Sequence, residues 1–286
     1  MSAHPRLSLN QATVKHATLP EALDAAAAAG IRSIGLWREP VLAAGIGRAA
    51  RLVAASGLRV STYCRGGFVT VPESPARRAS LDDNRRAIEE TATLAAAGAP
   101  GSRAVLVLVA GGLPDGSRDL AGARARVADA LAELAPEAAL AGVTLAVEPL
   151  HPMYAADRAV VSTLGQALDL AAPFPAEAVG VAVDTFHVWW DPDIAAQIAR
   201  AGGERRIATY QVCDWRAPLE ADVLLSRHQP GDGVIDLDGL TRAAVAAGYD
   251  GDVEVEIFHA RTWADDPRAV ARRTAAAFAA AVGPAL

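Results

Sequence analysis

The sequence predicts a single α/β domain, a (β/α)8 TIM barrel, and three observations support this fold class. The chain has 286 residues, a length at which such barrels form one domain. Short apolar runs alternate with segments of helical pattern, as expected of parallel strands joined by helices. Several runs stop at a polar side chain, as strands do when their C-terminal ends form an active-site rim. We therefore expect one barrel domain over residues 1–286.

The first half of the chain contains four predicted strand–helix units. The strands are residues 6–14 (RLSLNQATV), 31–37 (IRSIGLW), 58–64 (LRVSTYC) and 102–111 (SRAVLVLVAG). The helices that follow are residues 19–29, 41–56, 80–97 and 123–141. Each predicted helix is followed by a glycine, the residue that most easily adopts the left-handed conformation that ends a helix.

The second half contains four more units, and its strands carry the chemistry. Their segments are VTLAVEPLHP (143–152), VGVAVDTFHVWW (179–190), IATYQVCDW (207–215) and DVEVEIF (252–258). Helices are predicted over residues 164–171, after Pro192, over 237–247 and after Pro267, and a long loop spans residues 216–236. Eight units then account for the whole chain.

Each of these four strands ends at a side chain that could bind a metal ion. The candidate ligands are Glu148, Asp184, Gln211 and Glu256, and Asp214 lies just beyond Gln211. Any one of them alone is more simply a cap or an ion-pair partner, but four at neighbouring strand ends can converge on one ion. Three carboxylates and an amide oxygen favour Mn²⁺ or Mg²⁺, whereas an added imidazole would favour Zn²⁺ or Co²⁺.

Further side chains flank these positions. Glu254 shares a strand face with Glu256, so it lies lower in the barrel and supports the site, unless the strand bulges. His151 follows Glu148 by three residues and is a candidate acid or base. His187 is either a substrate contact or a structural hydrogen-bond partner, and Trp189 either packs under a loop or forms a wall beside a sugar ring.

Composition excludes several classes of protein. The net charge is −6 and no block is rich in Lys or Arg, which argues against a nucleic-acid or anionic-membrane partner. Two cysteines, Cys64 and Cys213, are too few for a disulfide framework. The N-terminus does not have the pattern of a signal peptide, and no apolar stretch reaches membrane-spanning length. We expect a soluble cytoplasmic protein, and a homo-oligomer is compatible with the sequence.

The motifs EPLHP, VDTFH, RHQPGDGVIDL and EVEIF together resemble the sugar isomerase/epimerase superfamily with a xylose-isomerase-like TIM barrel. The inosose isomerase and ketose 3-epimerase branches are the most similar. In that family a Glu, an Asp, a His and a Glu bind the metal, and here they correspond to Glu148, Asp184, position 211 and Glu256. The departure is Gln211, which replaces the histidine and shifts the expected metal toward Mn²⁺ or Mg²⁺.

The resemblance also implies substrate-binding residues. His187 corresponds to a histidine that contacts substrate. An arginine of the long loop has the same role in the family, and either Arg216 or Arg227 corresponds to it. The substrate class implied is a small carbohydrate.

The implied function is a metal-dependent isomerase or epimerase of a sugar, keto-sugar or inosose. Glu148 and Glu256 would flank an enediolate and move protons on its two faces. A lyase or dehydratase acting on a keto-sugar or 3-keto-glycoside would use the same site, and Gln211 with His151 keeps this possibility open. A non-catalytic sugar-binding subunit is less favoured. A phosphodiesterase like the AP endonucleases is also less favoured, because it needs more histidine ligands and a basic surface.

Overall fold

The computed structural model describes residues 3–286, and its centre is a closed barrel of eight parallel strands. The barrel strands are β1 Leu7–Asn10, β2 Ser33–Trp37, β3 Arg59–Gly67, β4 Val105–Val109, β5 Thr144–Glu148, β6 Val179–Asp184, β7 Ile207–Val212 and β10 Val253–Val255. Around the barrel they follow the order β1, β10, β7, β6, β5, β4, β3, β2. The predicted fold class is confirmed.

Helices surround the barrel and connect its strands. They are α1 Leu19–Ala28, α2 Arg38–Ala44, α3 Ile46–Ser56, α4 Pro75–Ala97, α5 Leu120–Leu140, α6 Leu164–Ala171, α7 Thr185–Val188, α8 Ile194–Gly203, α9 Leu237–Ala246, α10 Ala260–Ala264 and α11 Pro267–Ala281. Polar side chains start several of them. At α4, for example, Ser74 accepts a hydrogen bond from the backbone N–H of Arg77, which satisfies an otherwise free donor of the first turn.

The predicted boundaries differ from the structure where a single residue changes the backbone. The first strand stops at Asn10, because its side chain accepts the N–H of Ala12 and starts a 3-10 turn over Gln11–Val14. The second predicted helix is two helices, divided at Gly45, whose φ of +80° a residue with a side chain rarely adopts.

The long loop contains a two-stranded antiparallel sheet that the sequence did not predict. It pairs β8, Asp214–Trp215, with β9, Arg227–His228. This small sheet stands at the end of β7, and it fixes the direction in which the loop returns over the barrel.

The buried residues of the barrel strands include a polar layer beside the aliphatic core. Its fully or almost fully buried members are Ser8, Asn10, Ser61, Thr62, Gln211 and Glu254. Gly35 on β2 leaves the space that Glu254 fills, since a Cβ at this position would overlap the carboxylate. Among residues 3–286, no helix combines the length and apolar character needed to cross a bilayer.

Candidate metal and substrate site

The four predicted metal ligands lie at the same end of the barrel. Glu148 ends β5, Asp184 ends β6, Gln211 belongs to β7, and Glu256 directly follows β10. These strands are consecutive neighbours around the barrel. Asp184 pairs with Gln211, and Gln211 in turn pairs with Glu254. All four side chains are buried, with 5% of Glu148 and none of Gln211 exposed.

Donor atoms suitable for a cation cluster at this point. Glu148, Asp184 and His187 each offer one ligand atom, and these atoms all lie within 4.8 Å of one another. The side-chain oxygen of Gln211 is buried and has no hydrogen-bond partner among the described residues. A buried oxygen without a donor is costly, and a bound cation would remove that cost. The residues present therefore fit a divalent metal ion.

Arg227 connects two of the carboxylates. Its Nη1 donates to Asp184 Oδ2 at 2.9 Å and to Glu256 Oε2 at 2.7 Å. The guanidinium lies over the rings of Phe186 and Phe258, 4.6 Å and 4.9 Å from their centroids. Its Nε is buried without a partner in the part of the chain that the structure describes.

The position of Arg227 depends on Asp214. Arg227 belongs to β9, which pairs with β8. The buried Asp214 carboxylate accepts backbone N–H groups from Trp215 at 2.8 Å, Gly231 at 3.0 Å and Ile235 at 3.0 Å. Asp214 thus binds both ends of the loop that carries Arg227, which is a structural role.

Burial and mutual repulsion shift the pKa values of the carboxyl groups upward. Burial, followed by the charges of Glu256 and Asp184, raises the pKa of Glu148 well above its usual range. Burial raises the pKa of Glu256 to about 7 against the opposing effect of Arg227. Burial also raises the pKa of Asp184, again opposed by Arg227. Three carboxyl groups this close are stable as anions only with a cation beside them.

His187 is neutral, and its surroundings decide which ring nitrogen carries the proton. Burial, followed by the charge of Arg227, lowers the pKa of His187 well below its usual value. The backbone N–H of His151 donates to Nδ1 at 3.2 Å, and Nε2 lies 2.9 Å from Arg227 Nη2. A neutral imidazole has one N–H, so it cannot accept from both donors. Only one of these two contacts is therefore a hydrogen bond, and the ring nitrogen in the other contact carries the proton.

A cavity of about 650 Å³ opens above these groups. Glu148, His187, Arg227 and Glu256 are among the residues that line it, whereas Asp184 and Gln211 lie beneath them. The volume is that of a small-molecule pocket.

Two cations at the rim of this cavity have aromatic rather than acidic neighbours. Lys15 Nζ lies 4.7 Å from the ring centroid of Trp263, and the guanidinium of Arg65 lies 4.3 Å from that of Phe68. Neither cation forms an ion pair with any residue among 3–286. The other charged lining residues are Arg158, Glu39 and Asp222. Sequence reasoning missed Lys15 and Arg65, because both follow the early strands, where no ligand pattern marked a site.

Three of the predicted catalytic and substrate-binding residues do not line the cavity. The ring of His151 packs near Trp190 and Trp215, with centroids 5.4 Å and 5.3 Å away, and its Nδ1 accepts the N–H of Met153. Trp189 packs edge-on against Trp215, and Arg216 is exposed. Of the two candidate arginines, Arg227 is the one that reaches the site.

Comparisons with known proteins agree with the barrel fold. A crystal structure of the protein SMc04130 from Sinorhizobium meliloti 1021 is 47% identical and superposes with a TM-score of 0.91, covering 97% of this chain and 98% of the other. The IOLI protein with a binding zinc atom is 20% identical with a TM-score of 0.82, covering 98% and 99%. L-ribulose 3-epimerase is 20% identical with a TM-score of 0.74, covering 100% and 96%. The last two show a shared fold.

A curated relative and a family match complete the comparison. The 3-dehydroshikimate dehydratase of Pseudomonas aeruginosa is 37% identical over 146 residues, which is 49% of this chain and 22% of the relative. This chain therefore corresponds to only a part of that longer protein. Residues 23–281 match the family described as xylose isomerase-like TIM barrel. The chain belongs to the xylose isomerase-like TIM barrel family.

Proposed function

We propose that this protein is a metal-dependent dehydratase that removes water from a hydroxylated keto acid. The observation that carries the proposal is the pair of rim cations, Lys15 and Arg65, which have no acidic partner among residues 3–286. An anionic substrate group would supply one. Sugars and inososes are uncharged, whereas 3-dehydroshikimate, for which the Pseudomonas relative is named, bears a carboxylate.

The proposed metal ligands are Glu148, Asp184, Gln211 through its carbonyl oxygen, and Glu256. Oxygen donors alone favour Mn²⁺ or Mg²⁺, and Zn²⁺ or Co²⁺ remain compatible. His187, whose ring nitrogen lies within 4.8 Å of the ligand atoms of Glu148 and Asp184, is assigned to the substrate, as the family resemblance implies. When bound, a divalent cation supplies the Lewis acidity that stabilises the negative charge developing on a substrate carbonyl oxygen.

The protein's own residues would move the protons. Glu256, which lines the cavity, accepts the proton from the carbon beside the carbonyl and passes it to the hydroxyl that leaves. The neutral imidazole of His187 holds that hydroxyl through a hydrogen bond. A C–H bond and a C–O bond break, a C=C bond forms, and water departs. Arg227, which lines the cavity, donates to a substrate oxygen.

The test is to incubate the manganese-loaded protein with 3-dehydroshikimate and follow the conjugated product by ultraviolet absorbance. Lys15→Met and Arg65→Met should each raise KM about tenfold or more with little change in kcat, because both act on binding. Arg118→Met, which alters an exposed arginine outside the cavity lining, is the matched control. Absence of turnover, or unchanged KM values in both rim variants, would refute the proposal.

A second candidate is the isomerase or epimerase of a ketose or inosose. It is favoured by Glu148 and Glu256, two buried carboxyl groups with raised pKa values that line one cavity. Such a pair can remove and return a proton on opposite faces of a carbon. Deuterium from solvent entering a neutral ketose without loss of water would select this function over the dehydratase.

A further inference from the structure

The amide of Gln211 is held in one orientation. Its Nε2 donates to Glu254 Oε1 at 2.8 Å, and its oxygen is the buried atom without a partner. A glutamine amide can flip by 180° and exchange its nitrogen and oxygen. Only one of the two orientations presents a metal ligand, so whatever fixes the flip decides whether Gln211 can bind a cation.

Glu254 fixes the orientation of the Gln211 amide, because every other hydrogen-bond partner of the Glu254 carboxylate is also a donor. Asn10 Nδ2 donates at 2.6 Å, Ser61 Oγ at 2.5 Å and Thr62 Oγ1 at 2.8 Å. With four donors around it, Glu254 acts as an acceptor only, and a flipped Gln211 would place its oxygen against a carboxylate oxygen.

Asn10 cannot reverse its role as a donor to Glu254. The side-chain oxygen of Asn10 already accepts the backbone N–H of Ala12 at 2.8 Å and the indole N–H of Trp37 at 2.7 Å. The amide nitrogen of Asn10 must therefore face Glu254. The orientation of Gln211 is thus set by a chain of contacts that begins on β1 and β2, the two strands that follow β10 around the barrel.

We infer that Glu254 is a positioning residue that turns the oxygen of Gln211, rather than its nitrogen, toward the proposed metal. An imidazole at position 211 would offer a nitrogen lone pair, whereas a glutamine needs an acceptor beneath it to become a ligand. This inference rests on the metal site of the proposed function, but not on which reaction the site catalyses.

The test is a Mn²⁺ titration of the metal-free protein without substrate, read from the electron paramagnetic resonance signal of free Mn²⁺. Glu254→Met removes both acceptor oxygens and should weaken Mn²⁺ binding about tenfold or more, as loss of a ligand's orienting partner commonly does. The double variant Gln211→Glu/Glu254→Met should restore binding to within about threefold of wild type. A carboxylate at position 211 offers an oxygen in either orientation, and the total charge is that of wild type.

Glu39→Gln is the control for the loss of one negative charge near the cavity, and should bind Mn²⁺ like wild type. The inference is overturned if Glu254→Met binds Mn²⁺ as tightly as wild type, or if the double variant binds no better than Glu254→Met.

If Glu254→Met does not fold, as judged by circular dichroism, Gln211→His provides the second measurement. Its ring N–H can donate to Glu254 while the other nitrogen binds metal. Gln211→His should therefore bind Mn²⁺ at least tenfold more tightly than Gln211→Ala, and equal affinities would overturn the inference.

The two proposals fail in different ways. If the wild-type protein binds no metal, the proposed function is refuted as well. If the wild type binds metal and Glu254→Met binds it equally well, only this inference is refuted.

Discussion

Replacing Asp214 by alanine should release the loop that carries Arg227 while leaving the barrel folded. Asp214 accepts N–H groups from Gly231 and Ile235, both at 3.0 Å and both from the far end of the loop. A hydrogen bond to a charged group contributes about 1.5–3 kcal/mol, so the loss of two should destabilise the closed loop by about 3 kcal/mol or more. Because domains are stable by about 5–15 kcal/mol, the loop should open before the barrel unfolds.

Amide hydrogen exchange measures this effect directly. A change of about 3 kcal/mol corresponds to about a 100-fold faster exchange at Gly231 and Ile235, while the amides of the barrel strands keep their protection. Asp232→Ala alters an exposed aspartate of the same loop and should leave exchange unchanged. If Asp214→Ala exchanged like wild type at both positions, Asp214 would not hold the loop, and the reasoning that places Arg227 through it would be wrong.

Three further predictions concern the carboxyl groups of the site. Glu256→Gln should abolish proton exchange between substrate and solvent, which NMR follows. The circular dichroism spectrum should stay unchanged, because an amide oxygen can still accept from Arg227. Retained exchange would show that another group is the base. In the metal-free protein, the pKa of Glu256 is about 7 against about 4.3 in an unfolded chain, so the folded state binds the proton more tightly. This contribution to stability is complete below the unfolded pKa and is lost as the pH rises through about 7. Tm in EDTA should therefore fall between pH 5 and pH 8, and it should fall less steeply in Glu256→Gln. A Tm that rises over this range would contradict the pKa assigned to Glu256. Gly35→Ala should lower the free energy of unfolding by about 1–3 kcal/mol, measured in urea, since its Cβ overlaps Glu254. Gly47→Ala, on a helix where the new Cβ would meet only the Arg51 side chain at 3.8 Å, should not destabilise. Equal stabilities would mean that the Glu254 layer tolerates displacement.

Much of the fold follows from local patterns. Strands that alternate with helices predict a parallel barrel, and glycines and capping residues predict where helices end. The errors lie where local signals compete. Asn10 ends β1 early by accepting a backbone N–H, and the β8–β9 sheet arises from pairing between residues that are distant in sequence. Neither effect has a periodicity that a sequence window could detect.

The site also has residues that the sequence predicts and residues that only the structure places. The sequence alone determined that Glu148, Asp184, Gln211 and Glu256 share one rim, because barrel strands run parallel and their ends must meet. Only the tertiary structure decided that Arg227 rather than Arg216 enters the site, that His151 packs among tryptophans, and that Lys15 and Arg65 face the cavity. Strand positions follow from the alternation of side chains, whereas the place of a loop side chain depends on contacts between distant segments, such as those that Asp214 makes.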